Sequence, residues 1–203
     1  MGQNEFSRSL VTLNQVLEDF GSIERRAQPG IYPGHGPRRI AEMEMDALRG
    51  AGPAHVLWMA ASGSNQSVAR STFLSSGGYR PDISINEHRE LALRFCKMGL
   101  RMTACQGRTF HLTHRVGWRD PLLETSWEDV FFASHPLAEV ALMSVLWESL
   151  SDNTTLPQCA RINSLADLAR AADRCRGLDG RAAIREQHIA LSIAEFARAG
   201  ASH

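Results

Sequence analysis

Residues 84–105 read SINEHRELALRFCKMGLRMTAC, and this stretch has the clearest structural pattern in the chain. Ser84 with Glu87 three residues later has capping-box spacing, which predicts a helix N-terminus. Gly99 lies where a left-handed C-cap is expected, and residues 100–105 alternate apolar and polar side chains like a half-buried strand. Between the two helix ends, apolar side chains recur on one face: Leu91, Phe95 and Met98.

Outside this stretch, short apolar runs predict two further strands, over residues 55–61 and 108–115. Ser164 with Asp167 predicts another helix start. Together these patterns predict an α/β fold with a small mixed sheet, followed by a helical C-terminal appendage. Helices are predicted over 6–20, 37–48, 68–74, 136–150, 165–175 and 181–199.

The amino-acid composition argues against several classes of function. The 203 residues are 43% hydrophobic and 22% charged, which is typical of a globular protein. Lys plus Arg equals Asp plus Glu at 22 each, so there is no general electrostatic case for nucleic-acid binding. No apolar run is long enough to span a membrane, and no secretory signal is visible, so we expect a cytoplasmic protein. The four cysteines form no C-x-x-C pair, which favours reduced thiols.

Five short motifs occur in a meaningful order within about residues 55–120. They are NQSVAR (65–70), GGY (77–79), NEHRELALR (86–94), KMGLR (97–101) and RTFH (108–111). This order resembles the second half of a family 2 glycosyltransferase with the GT-A fold. The resemblance implies three segments, namely N-terminal helices with a Gly/Pro-rich loop over 1–54, a truncated GT-A-like acceptor-side unit over 55–125, and a helical tail over 126–203.

The reaction implied by the resemblance is inverting transfer of a sugar from a nucleotide-sugar donor to an acceptor hydroxyl, which needs a base. The family commonly has Glu-Asp where this chain has Glu87-His88, so either residue is a candidate for the base. Glu90 is a candidate for the acceptor groove or for an ion pair. Asn65 and Ser67 are candidates for substrate binding, although a turn with a helix cap explains them equally well.

A divalent metal, Mn²⁺ or Mg²⁺, usually neutralises the leaving nucleoside diphosphate in this family. His111 matches the family's metal-binding histidine, and His114 is the alternative; either is also explained as an ordinary surface or core histidine. Arg115 and Trp118 follow, where a diphosphate or a sugar would be held, while packing explains Trp118 equally well.

One departure from the family concerns the donor site. The chain has no Asp-x-Asp pair, and the acidic stretch 42–46 is interpreted as a solvated helix face. We therefore expect the donor site to be incomplete in this chain. The alternative hypothesis is a non-catalytic truncated relative that acts as an interaction module and contacts a partner chain through its helical tail.

Overall fold

The computed structural model describes residues 17–21, 37–63, 66–105, 124–151 and 154–201. Within these ranges every regular element is helical and no strand is present. The predicted α/β fold with a small mixed sheet is therefore wrong for the described part of the chain.

The helices follow one another from the N-terminal side as a series of short elements. In chain order they are α1 (Pro37–Asp46), a π-helical turn (Ala47–Ala51), a 3-10 helix (Ala54–Ala60), α2 (Arg70–Ser75), α3 (Glu87–Lys97), α4 (Ser126–Ser134), α5 (Ala138–Ala141), α6 (Met143–Leu150), a 3-10 turn (Gln158–Ala160), α7 (Leu165–Arg174) and α8 (Arg181–Gly200). The predictions for α1, α2, α7 and α8 are confirmed, and Leu142 divides the predicted helix over 136–150 into α5 and α6. Most of the predicted helix over 6–20 lies outside the described residues.

The predicted strand over 55–61 is instead the 3-10 helix. It begins after Pro53, and the Val56 N–H donates to the Pro53 carbonyl at 3.2 Å. Val56, Trp58 and Met59 are all fully buried, and they are consecutive or two residues apart in the chain. A short run of buried apolar residues has no period that separates a strand from a helix, and this explains the error.

This 3-10 helix lies at the centre of the molecule and contacts α1, α3 and α7. Trp58 packs its ring 5.9 Å from that of Phe131 on α4, and both side chains are fully buried. The buried cluster continues through Leu146 on α6 and Leu168 on α7. The helices after residue 125 therefore share one core with the helices before it.

The predicted strand over 100–105 is also absent. Gly99 ends α3 at φ 79°, and the Leu100 N–H returns to the Phe95 carbonyl at 3.0 Å, which confirms the left-handed C-cap. Residues 101–105 then follow without regular structure. A strand needs a neighbouring strand to pair its backbone groups, and the described residues contain none. The predicted strand over 108–115 lies outside the described residues.

Candidate functional site

The first turn of α3 brings together the two residues predicted as alternative bases. Asn86 precedes the helix in the left-handed conformation at φ 64°, and its carbonyl accepts from the Arg89 and Glu90 N–H groups, both at 3.0 Å. Glu87 is thus the first helical residue rather than the third, so the predicted capping box with Ser84 is wrong in register. Ile83 and Ile85 flank Ser84 and are buried, which turns the Ser84 side chain outward.

Glu87 and His88 lie beside each other at this helix start. The Glu87 carboxylate is 4.0 Å from His88 Nδ1, and the two side chains keep 29% and 18% of their surface exposed. His88 Nε2 is 2.6 Å from an Arg89 guanidinium nitrogen. Because a guanidinium only donates, His88 Nε2 must accept, and the imidazole proton then sits on Nδ1.

This geometry separates the two candidate bases. The His88 lone pair is already used by Arg89, whereas the Glu87 carboxylate remains partly accessible. His88 instead presents an Nδ1–H on the Glu87 side of its ring. Of the two candidates, Glu87 therefore has the more accessible atoms for taking a proton.

The turn before α2 approaches the same helix start through Gly63. A Cβ atom on Gly63 would lie 2.9 Å from His88 Nδ1, so a larger residue at this position would displace the imidazole. Ser67 is exposed, a little further along this turn. Asn65 lies outside the described residues.

Arg89 connects the site to a buried network of hydrogen bonds. Its Nε donates to the Met59 carbonyl at 3.1 Å, one Nη donates to Asn86 Oδ1 at 3.0 Å, and the other pairs with Glu44 of α1. The guanidinium also lies 4.5 Å from the centre of the Trp147 ring.

Burial raises the pKa of Glu44 to about 7, against the lowering effect of Arg89. The expectation that Glu44 belongs to a solvated face is wrong, since its side chain is 12% exposed.

Glu90 belongs to a second network of hydrogen bonds and ion pairs, on another side of α3. Its carboxylate is fully buried and accepts from Arg94 at 2.8–3.0 Å and from His135 Nε2 at 2.8 Å. Lys97 donates to His135 Nδ1 at 2.9 Å, which leaves the His135 proton on Nε2. Burial raises the pKa of Glu90, but hydrogen bonds from His135 and Arg94 outweigh it and hold that pKa below its usual value.

Arg94 extends the second network to the segment after α2. It donates to the Ser76 carbonyl and, at 2.6 Å, to the Gly78 carbonyl. Of the two interpretations of Glu90, the ion pair is therefore the one present, and its buried carboxylate offers no surface to an acceptor. The Glu-x-x-x-Arg pair of the motif connects α3 to the Gly-Gly-Tyr motif through this arginine.

The remaining predicted site residues were His111, Arg115 and Trp118, with His114 as the alternative metal ligand. All of them lie outside the described residues, so the metal site stays a prediction. In the part of the chain that is described, no three His, Cys, Asp or Glu side chains come together in a way that suits a metal ion.

Sequence reasoning missed Glu44, His135 and Trp147. For Glu44 a signal existed: it lies one helical turn after Ile40, which packs against the core with Met43, so it borders the apolar face of α1. No local pattern around His135 or Trp147 indicates that they contact α3.

Comparisons with known proteins identify no relative: no family model, no curated protein and no solved structure matches the chain. None of the described helices is both long and apolar enough to cross a membrane.

Proposed function

We propose that the first turn of α3 activates an acceptor hydroxyl for sugar transfer from a nucleotide-sugar donor, with Glu87 as the base. The observation that carries this proposal is the difference between three carboxylates around α3. Glu90 is fully buried and Glu44 is 12% exposed, whereas Glu87 is 29% exposed and lies at the motif position where the family has its acidic pair. The proposal concerns this helix start and does not include the mixed sheet.

The surroundings of Glu87 suit this role. Arg89 fixes the His88 ring, and Gly63 leaves room for that ring. An acceptor hydroxyl beside Glu87 would give its proton to the carboxylate as its oxygen attacks the anomeric carbon of the sugar and the nucleoside diphosphate leaves. In the same proposal His111 binds Mn²⁺ or Mg²⁺, and Arg115 and Trp118 hold the donor.

The experiment uses the full chain with UDP- and GDP-sugars and Mn²⁺, and measures donor binding, donor hydrolysis and transfer. Glu87→Gln keeps the shape of the side chain but cannot take a proton, so we expect turnover to fall by roughly a hundredfold. Glu42→Gln is the matched control, because Glu42 is an exposed acid on α1, and it should turn over at the parent rate. A folded parent chain that neither binds nor hydrolyses any donor would overturn independent activity of this chain, and an unchanged rate in Glu87→Gln would overturn Glu87 as the base.

The exposed end of α8 favours a second candidate function, which is pairing with another protein chain. Ser192 is the last buried residue of this helix, and beyond it Ile193 and Phe196 are 47% and 71% exposed. Ile189, Ile193 and Phe196 follow each other at helical spacing on one stripe. An antiparallel second copy with its two-fold axis near Ile193 would place Phe196 against the partner's Ile189, so the stripe is self-complementary.

Light scattering after size exclusion tests this second function. The parent chain should form a dimer that dissociates on dilution, and Phe196→Glu should give a monomer. Gln187→Glu adds the same charge to an exposed position of α8 away from the stripe, and it should leave the dimer intact. A parent chain that stays monomeric at every concentration would rule out the second copy as the partner.

A further inference from the structure

A cavity of about 410 Å³ lies where residues 159–162, α7 and the buried face of α8 meet. Its size is in the range of small-molecule sites. Three arginines line it: Arg161, just after the 3-10 turn, and Arg170 and Arg174, one helical turn apart on α7. Arg170 and Arg174 each pair with a carboxylate, Asp167 and Glu195 respectively.

The carboxylates that line the cavity are already engaged. Asp167 accepts from the Ser164 hydroxyl at 2.8 Å and also pairs with Arg170, and Asp173 pairs with Arg176. The Asp167 N–H in turn donates to the Ser164 hydroxyl oxygen at 3.1 Å. These two hydrogen bonds also confirm the predicted start of α7. These two acids therefore leave no carboxylate on the cavity wall for the third arginine.

Arg161 carries the excess positive charge. Its Nε donates to the Leu156 carbonyl at 3.3 Å, and in the described part of the chain its two Nη groups meet no carboxylate. Arg161 is half-buried, so its guanidinium is only partly hydrated. A half-buried guanidinium whose paired Nη donors meet no carboxylate among the described residues matches the geometry of an oxyanion.

His188 holds the two sides of the cavity in place. It is 2% exposed, and its Nε2–H donates to the Ala160 carbonyl at 2.9 Å. Arg174 is fixed by Glu195 at 2.6 Å and also reaches His188 Nδ1 at 3.4 Å. The turn that carries Arg161 and the helix that carries Arg174 are thus tied to one buried side chain on α8.

We propose that this cavity binds the phosphate group of a small phosphorylated molecule, with Arg161 as its principal ligand. Guanidinium groups arrive from two elements, which suits a tetrahedral oxyanion better than a flat carboxylate. The cavity is larger than a phosphate ion, and the half-buried Cys159 lies on its wall beside the space left for the remainder of the ligand. This site is independent of the function proposed for Glu87.

The test uses the full chain and inorganic phosphate, and measures the unfolding temperature at constant ionic strength. At ten times its dissociation constant, phosphate should raise the Tm of the parent by about 3–6 °C, whereas acetate should not. Arg161→Gln should remove most of this rise. Arg49→Gln is the control, because Arg49 is exposed, pairs with Asp46 and lies outside the cavity wall, and it should keep the rise.

An equal rise in the parent and in Arg161→Gln would overturn the proposal, because exclusion of phosphate from the protein surface stabilises any protein without a site. A rise with acetate as large as with phosphate would overturn the choice of a phosphate group. If Arg161→Gln does not fold, Arg161→Lys takes its place: the lysine keeps the charge but not the paired donors, and a full phosphate response in it would contradict the assignment to Arg161.

Discussion

Arg89 and Glu90 are consecutive residues of α3, and each belongs to a different buried ion network. The two networks shift the pKa of their carboxylates in opposite directions. Among the described residues Glu44 pairs in the first network with Arg89 alone, and burial raises the pKa of Glu44 to about 7. In the second, Glu90 accepts from both Arg94 and His135, and its pKa lies below the usual value. Burial therefore outweighs one arginine at Glu44, whereas the hydrogen bonds from His135 and Arg94 together outweigh burial at Glu90.

The largest effect is expected from Glu90→Gln. This substitution removes the negative charge that Arg94 and His135 share and turns one acceptor oxygen into an NH2 donor facing them, and breaking a buried ion pair of this kind typically costs about 3 kcal/mol. Urea unfolding at pH 7 measures the loss, and Glu42→Gln on the exposed face of α1 should change stability by less than about 0.5 kcal/mol. A loss of stability below about 1 kcal/mol for Glu90→Gln would contradict the expectation that this substitution has the largest effect.

Glu44→Gln is expected to change the pH dependence of stability. The folded pKa of Glu44 lies above its ordinary value of 4.5, so between those two pH values the folded chain holds a proton that the unfolded chain has lost. The stability that Glu44 contributes is then fully present below pH 4.5 and is lost as the pH rises through about 7. The shift from 4.5 to about 7 is equivalent to roughly 3 kcal/mol.

Urea unfolding of the parent and Glu44→Gln at pH 5 and pH 8 checks this sign. The variant should gain stability relative to the parent at the higher pH. Glu90 has the opposite sign, because its lowered pKa contributes stability that is lost only as the pH falls through the acidic range. If the free energies of unfolding of the parent and of Glu44→Gln change with pH in parallel, then the pKa of Glu44 is not raised in the folded chain.

The smallest effect is expected from Lys97, the outer member of the second network. Lys97 is exposed and donates to His135 rather than to the carboxylate itself. Lys97→Met should cost about 0.5–1 kcal/mol, since it removes one partly exposed hydrogen bond, and Lys97→Arg should restore most of the loss. A cost as large as that of Glu90→Gln would mean that the whole network acts as a single unit.

Prediction from sequence was most accurate where the information was local. The extents of α7 and α8 and the Gly99 cap follow from apolar spacing and from end signals within a few residues. Glu87 and His88 do lie at a helix start, as the sequence predicts, whereas their roles stay a prediction and the sequence left the choice between them open. That choice depends on Arg89, which is itself held by Glu44, 45 residues earlier in the chain.

The amino-acid sequence by itself determined the extents of α7 and α8, the Gly99 cap and the position of Glu87 at a helix start, because backbone hydrogen bonds and apolar spacing in a helix act within about one turn. Only the tertiary structure decided that the run over 55–61 is a buried 3-10 helix, that Glu44 is buried and that Glu90 is bound by His135, again 45 residues away. Whether an apolar run pairs as a strand, and whether a carboxylate keeps its charge, depends on groups brought near from distant positions in the chain.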